Sequence, residues 1–195
     1  FISPFISQGE GVQDTGTTKR RDASRAAWIS SGCNSASRSR GLVTLVTPFY
    51  CRGSTVLNRR FKSANFWRRL QEDHVTCVSV VPTLLEFLLD ATEDLSSCRL
   101  DRFKGFICGA GPLLKETAMR FEDRFHFPIL HGYGLSETTC YACFLPDDLS
   151  RDEHRHWLRD YEFPSIGVPV RHNVMTILND HGQLLPEMSR GEICI

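Results

Sequence analysis

Residues 127–139, Phe-Pro-Ile-Leu-His-Gly-Tyr-Gly-Leu-Ser-Glu-Thr-Thr, give the first indication of the fold. The apolar start of this segment predicts a buried strand, and the strand ends in a Gly-Tyr-Gly turn. Ser136 and Glu137 follow the turn and would suit a phosphate oxygen and Mg²⁺. The same residues also fit an ordinary glycine turn that leads from a strand into a capped helix. Taken alone, the segment leaves both interpretations open.

The Gly-Tyr-Gly turn has two features that a ligand site can use. We expect Gly132 and Gly134 to adopt positive φ and to let the backbone approach a ligand closely. Tyr133 lies between them and offers a flat aromatic face with a polar hydroxyl at its tip. The turn therefore predicts a contact surface for a planar ring.

Alternating strand and helix patterns precede this turn. The predicted order is a helix over residues 63–73, capped by Ser63, a strand over 75–81, a helix over 82–90, a strand over 103–108 and a helix over 113–125. In the last helix the expected core positions are Leu114, Ala118, Phe121 and Phe125. This order predicts an α/β fold, a parallel sheet with helices on both faces. The segment 42–49 is apolar but too short to assign.

A second glycine-rich turn follows the strand over residues 103–108. It consists of Gly109, Ala110, Gly111 and Pro112. In parallel sheets, ligands gather beyond the carboxyl ends of the strands. We therefore expect this turn and residues 132–137 to converge on one crevice, which favours a binding site over two unrelated turns.

The C-terminal part of the chain has a different pattern. Residues 146–162 are charged and predict a helical surface insertion. Residues 174–178 and 191–195, with a turn at 179–182 between them, predict a short antiparallel β segment. Because the sequence stops inside an apolar strand, we expect a truncated domain.

Composition describes an ordinary globular protein. Lys plus Arg and Asp plus Glu number 23 each, so no overall field attracts nucleic acid or a membrane surface. No apolar run is long enough for a membrane span. The eight cysteines are irregularly spaced and no signal peptide is evident, which favours reduced thiols and a cytoplasmic location inside the cell. Cys140 and Cys143 have C-x-x-C spacing, but a zinc site would need further ligands.

Several segments together resemble the AMP-forming adenylating enzymes, the family of acyl-CoA synthetases, luciferases and nonribosomal peptide adenylation domains. Residues 131–138, His-Gly-Tyr-Gly-Leu-Ser-Glu-Thr, are similar to the family's Gly-Tyr-Gly-Leu-Thr-Glu motif. Residues 108–113 resemble its Gly-Gly-Ala-Pro-Leu turn, and residues 165–169 its Ser-Val-Gly-x-Pro turn. Residues 78–85 resemble the family's Val-Pro-Thr segment, and residues 191–193 resemble its Gly-Glu-Ile segment. All of these segments occur in the family's order. The resemblance extends from about Thr47 to Ile195, and we expect a partial AMP-binding domain over 42–195. Residues 1–41, which are rich in Gly, Ser, Thr and Arg, predict a poorly ordered remnant with a degenerate phosphate loop.

The resemblance implies a two-step reaction. A carboxylate attacks the α-phosphate of ATP to give an acyl-adenylate, and a thiol, usually that of coenzyme A, then takes the acyl group. Ser136 would bond the α-phosphate, Glu137 would hold Mg²⁺ and His131 would line the acyl pocket. The ATP-binding residues that it implies are Gly109, Ala110, Gly111, Pro112, Gly132, Tyr133 and Gly134, together with Thr17, Thr18 and Lys19 of the phosphate loop.

The chain departs from the family's pattern at several points. The phosphate loop of the family reads [Ser/Thr]-Gly-Thr-Thr-Gly-x-Pro-Lys-Gly, whereas here Thr15-Gly16-Thr17-Thr18 is followed directly by Lys19-Arg20-Arg21. The glycine and proline that shape the loop around the β and γ phosphates are missing. The aromatic-histidine segment of the acyl pocket, the ribose-binding aspartate, the hinge and the small C-terminal domain are also not found.

Three interpretations follow. The chain is part of an acyl-CoA synthetase-like ligase, inactive alone; or a noncatalytic degenerate fragment or binding module; or an adenylation domain that feeds a carrier protein. The Val-Pro-Thr segment and the helix with Phe66 and Trp67 favour an acyl-CoA synthetase over an amino-acid adenylation domain. The expected substrate is a small-molecule carboxylic acid, and the sequence specifies neither this acid nor the oligomeric state.

Overall fold

The computed structural model describes residues 27–31, 38–50, 52–58, 61–92, 95, 98–171 and 173–195. Within these ranges the strands are β1 (Ala27–Ser31), β2 (Ser54–Asn58), β3 (Cys77–Val80), β4 (Gly105–Cys108), β5 (Ile129–Tyr133), β6 (Cys143–Phe144), β7 (Val168–Pro169), β8 (Thr176–Leu178) and β9 (Glu192–Cys194). The helices are α1 (Arg38–Tyr50), α2 (Phe66–Glu72), α3 (Pro82–Asp90), α4 (Lys115–Phe125) and α5 (Arg151–Arg159).

A seven-stranded sheet in the order β2-β1-β3-β4-β5-β6-β7 frames the molecule. The strands from β2 to β5 pair in parallel, and β6 and β7 continue the sheet in antiparallel pairing. β8 and β9 form a separate antiparallel pair. The predicted fold class, a parallel α/β sheet followed by a short antiparallel segment, is confirmed.

The order of the strands places the helices on the two faces. The chain passes from β1 to β2 towards one edge and then from β3 through β4 to β5 towards the other. Because crossovers between parallel strands are right-handed, α1 lies on the face opposite α2, α3 and α4. The sheet is therefore covered from both sides, as an α/β fold requires.

The main core lies between the sheet and the helices α2 to α5. Trp67 is fully buried at its centre, with ring centroids 4.7 Å from Phe125, 5.1 Å from Phe66 and 6.0 Å from Phe106. Aromatic pairs at these separations add to the gain from burial. On the other face of the sheet, a smaller cluster has buried Cys77 and Ile107 in contact with half-buried side chains.

Two predictions about helices are corrected. The helix predicted from residue 63 begins instead with a 3₁₀ turn, Ser63–Asn65, and Ser63 caps neither element, since the residue before the turn is Lys62. Leu114 was expected in the core but is 57% exposed. It is the N-cap of α4 and has extended backbone, so its side chain does not follow the helical stripe. The start of α3 at Pro82 is as predicted, because proline fits a first helical turn.

Regular structure also reaches into the range 1–41, where the sequence predicts a poorly ordered remnant. β1 lies there and pairs with both β2 and β3, and α1 begins at Arg38 and includes the apolar segment 42–49. Backbone hydrogen bonds to two neighbouring strands hold β1, and local composition does not reveal such partners. The division of the chain at residue 41 itself stays a prediction.

Candidate functional site

Two loops meet at the carboxyl ends of β4 and β5 and enclose a cleft of about 550 Å³. The first loop contributes Ala110, Gly111 and Pro112, and the second runs from the end of β5 to Ser136. The sequence predicts this convergence because the two strands are adjacent and parallel. The complete lining is Ala110, Gly111, Pro112, His131, Gly132, Tyr133, Gly134, Leu135, Ser136, Cys140, Tyr141 and Ile166.

The glycines of the second loop are needed for close packing. A Cβ on Gly134 would lie 1.8 Å from the carbonyl oxygen of Cys140, and one on Gly132 would lie 2.6 Å from the ring of Phe144. Neither glycine is among the positive-φ residues, so the expectation of positive φ at these two positions is wrong. The segment that follows β5 folds back over the glycines and leaves no room for a side chain.

The first loop has an unusual backbone at Ala110. Its φ is 63°, in the left-handed region that residues with a Cβ seldom occupy. Just before it, Gly109 lies so close to β5 that a Cβ would be 2.5 Å from the carbonyl oxygen of Gly132. Backbone in such a conformation is concentrated at binding sites, where the surrounding structure maintains it.

A tight turn presents Ser136 and Glu137. The hydroxyl of Thr138 accepts from the backbone N–H of Leu135 at 2.9 Å and lies 3.0 Å from the carbonyl oxygen of the same residue. The backbone N–H of Thr139 donates to the carbonyl of Ser136 at 3.0 Å. Both predicted catalytic residues are exposed, and Ser136 lines the cleft while Glu137 lies one residue beyond it. The turn therefore holds a hydroxyl and a carboxylate side by side at the cleft edge.

His131 is the buried polar residue of the cleft and lies within β5. Its Nδ1 is 3.0 Å from the carbonyl oxygen of Ser165, and burial lowers the pKa of its imidazole below the ordinary value of 6.5. A carbonyl can only accept, so Nδ1 of the neutral ring carries the proton and Nε2 remains an acceptor. His131 thus brings a neutral polar ring to the cleft wall.

Sequence reasoning missed part of the lining. The missed residues are Cys140, Tyr141 and Ile166, which enter the cleft although no nucleotide-binding role was predicted for them. The ring centroid of Tyr141 lies 4.3 Å from that of Phe144, and this pair covers the glycines of the turn. In the sequence, the Tyr-x-x-Phe pair that follows the glycine turn is the signal that could have indicated aromatic rings packed over the glycines.

The phosphate-loop candidates Thr17, Thr18 and Lys19 lie outside the described residues. Within the described ranges, no group of three or more His, Cys, Asp or Glu side chains could hold a metal ion. Among the described cysteines, Cys140 and Cys143 form no disulfide, and burial raises the pKa of Cys143. Of the helices that the structure describes, none is long and apolar enough to cross a membrane.

Comparison with known proteins identifies the segment that carries these loops. Residues 36–195 match the model of a family described as AMP-binding enzyme. The chain is 29% identical over 157 residues to luciferin 4-monooxygenase of Photinus pyralis, and the match covers 80% of this chain and 26% of that protein. It is 26% identical over 155 residues to 2-succinylbenzoate–CoA ligase of Enterococcus faecalis, and the match covers 80% of this chain and 30% of the ligase. The chain thus spans less than a third of the length of these relatives.

The fold is shared with solved structures. O-succinylbenzoate coenzyme A synthetase from Bacillus subtilis, in complex with ATP and magnesium ion, superposes with a TM-score of 0.67 at 23% identity. The match covers 86% of this chain and 32% of the synthetase chain. At this identity the likeness shows a common architecture.

Proposed function

Because the chain belongs to the AMP-binding enzyme family, we propose that it is part of an ATP-dependent ligase that activates a carboxylic acid as an acyl-adenylate. The acceptor of the acyl group would be a thiol, that of coenzyme A. A small-molecule carboxylic acid as substrate and a cytoplasmic location belong to the same proposal. The observation that carries it is the cleft in which the two glycine-rich loops meet at the ends of β4 and β5.

The size and lining of the cleft suit a nucleotide. Its volume of about 550 Å³ lies within the range of sites for small molecules. The adenine would lie against Tyr133 and the backbone of the Gly109 to Pro112 loop, because an aromatic face and a close backbone favour a planar ring. Gly132 and Gly134 would let the loop at the end of β5 pack tightly enough to form the wall of the cleft.

Ser136 and Glu137 would act on the phosphates. The Ser136 hydroxyl is exposed at the cleft and can donate to an α-phosphate oxygen, and the Glu137 carboxylate next to it is a hard oxygen ligand suited to Mg²⁺. A bound Mg²⁺ ion would neutralise the negative charge that develops on the phosphate. The β and γ phosphates would be bound by the phosphate loop, through Thr17, Thr18 and Lys19.

His131 would border the acyl group. The hydrogen bond to Ser165 fixes the ring, and its lowered pKa keeps the ring uncharged near neutral pH. A neutral, fixed imidazole can orient a substrate without attracting the carboxylate to the wrong position. His131 would therefore be a substrate-positioning residue of this site.

Isothermal titration of the 195-residue chain with ATP and Mg²⁺ tests the proposal. We expect saturable binding that weakens in Ser136→Ala and loses its Mg²⁺ dependence in Glu137→Gln. Glu116→Gln, an exposed carboxylate on α4, is the matched control and should bind as the unmodified chain does. A chain that is folded by circular dichroism and gives no saturable heat would contradict the proposal.

A second measurement addresses catalysis. Since the expected ribose contact and the small C-terminal domain are not among these residues, we expect no carboxylate-dependent ATP–pyrophosphate exchange above that of Glu137→Ala. Exchange that depends on a carboxylate and is lost in this variant would show that the 195 residues suffice for the first half-reaction.

A further inference from the structure

A second cleft, of about 450 Å³, opens at the other end of the same strands. Lys104 immediately precedes β4 and Pro128 immediately precedes β5, and both line this cleft. The nucleotide cleft is lined by the last three residues of β5 and by the loop that follows β4, and a four-residue strand is about 13 Å long. The two clefts share no lining residue. The second cleft is therefore a separate cavity.

The second cleft is formed because α5 packs on α4. His154 Nε2 lies 2.7 Å from Glu122 Oε1, and both side chains are nearly buried. Glu122 Oε1 also accepts from the backbone N–H of Ile129 at 2.9 Å, and Arg159 lies 3.8 Å from the second carboxylate oxygen. The Glu122 carboxylate is thus neutralised by partners within the wall.

Cations dominate the remaining lining. The cleft contains four Lys or Arg side chains, Lys104, Arg151, Arg155 and Arg159, with His126 and His154 beside them. The lining carboxylates are Glu122, which faces His154 and Arg159, and Asp147, which interacts with Lys104 and whose pKa is raised chiefly by burial, so they offset part of this charge. Arg151 and Arg155 are one helical turn apart on α5 and pair with no acidic side chain in the described ranges. The cleft therefore carries a surplus of positive charge.

Arg159 is held at the wall of the cleft by two carboxylates of α4. Its terminal nitrogen lies 2.7 Å from Asp123 Oδ1 and 3.8 Å from Glu122 Oε2. Among the described residues, the arginines of the cleft that pair with no carboxylate are therefore Arg151 and Arg155.

We propose that this second cleft binds a small molecule that carries a phosphate-type oxyanion. Guanidinium groups match the geometry of phosphate oxygens and form the strongest hydrogen bonds of this kind. Phe127, Pro128, Leu130, Pro146 and Leu149 supply apolar lining for an uncharged body of the ligand. The volume exceeds that of a bare ion and suits a phosphorylated small molecule.

Titration with inorganic pyrophosphate in the absence of Mg²⁺ tests the proposal on the 195-residue chain. We expect saturable binding that weakens about tenfold or more in the double variant Arg151→Gln/Arg155→Gln, since two charge-assisted hydrogen bonds are lost. The matched control is Arg120→Gln/Arg171→Gln, which removes two exposed arginines outside the cleft and should change affinity less than about twofold. Lys104→Gln is an independent variant at the residue that precedes β4 and should also weaken binding.

The nucleotide cleft is the alternative location for the probe, and Ser136→Ala distinguishes the two. Binding that survives Ser136→Ala and falls in the α5 variant supports the second cleft. Binding that falls in Ser136→Ala and persists in the α5 variant overturns the proposal, as does the absence of saturable binding to folded chain. Thermal unfolding of every variant verifies the fold. The proposed ligase function does not depend on this outcome.

Discussion

His131 on β5 and Ser165 before β7 are joined by a hydrogen bond of 3.0 Å between the imidazole Nδ1 and the backbone carbonyl oxygen, although they lie 34 residues apart in the chain. The backbone of His131 also accepts from the N–H of Leu145 at 2.9 Å. Two later segments therefore close on this one residue and bury its ring. Burial lowers the pKa of the ring below 6.5 and keeps it neutral.

This pKa shift predicts acid sensitivity. The unfolded chain, with the ordinary pKa of 6.5, binds a proton at higher pH than the folded chain does. The stability of the folded state is thus complete above pH 6.5 and falls as the pH decreases towards the lowered pKa. His131→Gln should reduce the loss of unfolding free energy between about pH 7.5 and pH 5.5, measured by urea unfolding. His181→Gln, in an exposed turn, is the control, and equal pH dependence in all three proteins would contradict the prediction.

The aromatic core predicts a large cost for removing Trp67. Because this side chain is fully buried among Phe66, Phe106 and Phe125, Trp67→Ala should lower the free energy of unfolding by about 3–5 kcal/mol. Phe87→Ala removes a ring that is 51% exposed and should cost far less. Urea unfolding of both variants checks this, and similar losses would argue against Trp67 as the centre of the core.

The tight packing of Gly134 predicts a steric effect at the cleft between the loops that follow β4 and β5. A Cβ at this position would lie 1.8 Å from the carbonyl oxygen of Cys140, so Gly134→Ala must displace the turn. We expect destabilisation of about 1–3 kcal/mol and weaker ATP binding. Gly111→Ala is the matched control for stability, because its Cβ would meet Pro82 only at 3.5 Å. Thermal unfolding compares these two variants, and titration with ATP compares Gly134→Ala with the unmodified chain. A harmless Gly134→Ala would refute the described turn.

The cysteines predict unequal reactivity. Cys77 and Cys143 are buried, and burial raises the pKa of each thiol, so little thiolate is present near neutral pH. Cys98 and Cys194 are partly exposed. Brief treatment of the folded chain with iodoacetamide should label the second pair at least about tenfold faster, as read by mass spectrometry. Denaturant should remove the difference, and early labelling of Cys77 would contradict its position in β3.

The contact between α5 and α4 predicts that two nearby histidines contribute unequally to the free energy of unfolding. His154→Ala should destabilise the chain by about 1–3 kcal/mol, because the nearly buried Glu122 carboxylate loses its hydrogen-bond partner. His156→Ala, two residues away, removes a side chain that is 47% exposed and should cost less. Urea unfolding at one pH separates the two variants, and equal costs would show that α5 is held mainly by Leu158.

Local patterns were sufficient for much of the fold. Three local features each predict an element or a boundary without long-range information. They are the β-rich run over residues 75–81, the proline at the start of α3 and the glycine turns after β4 and β5. Their order along the chain predicts a parallel sheet, and adjacency in that sheet places Gly111 and Gly132 in one cleft. These features depend on periodicity and on turn chemistry, which are local properties of the sequence.

Only the tertiary structure decided the rest. β1 takes its place because β2 and β3 supply hydrogen-bond partners on both sides, and its own composition gives little sign of this. Gly134 is packed by the returning segment at Cys140, and His131 is held by Ser165, contacts between residues that no local pattern pairs. The sequence alone thus determined the order of elements and the residue types at the cleft. The tertiary structure determined which distant segments close over them, because such contacts depend on how the chain returns to the sheet.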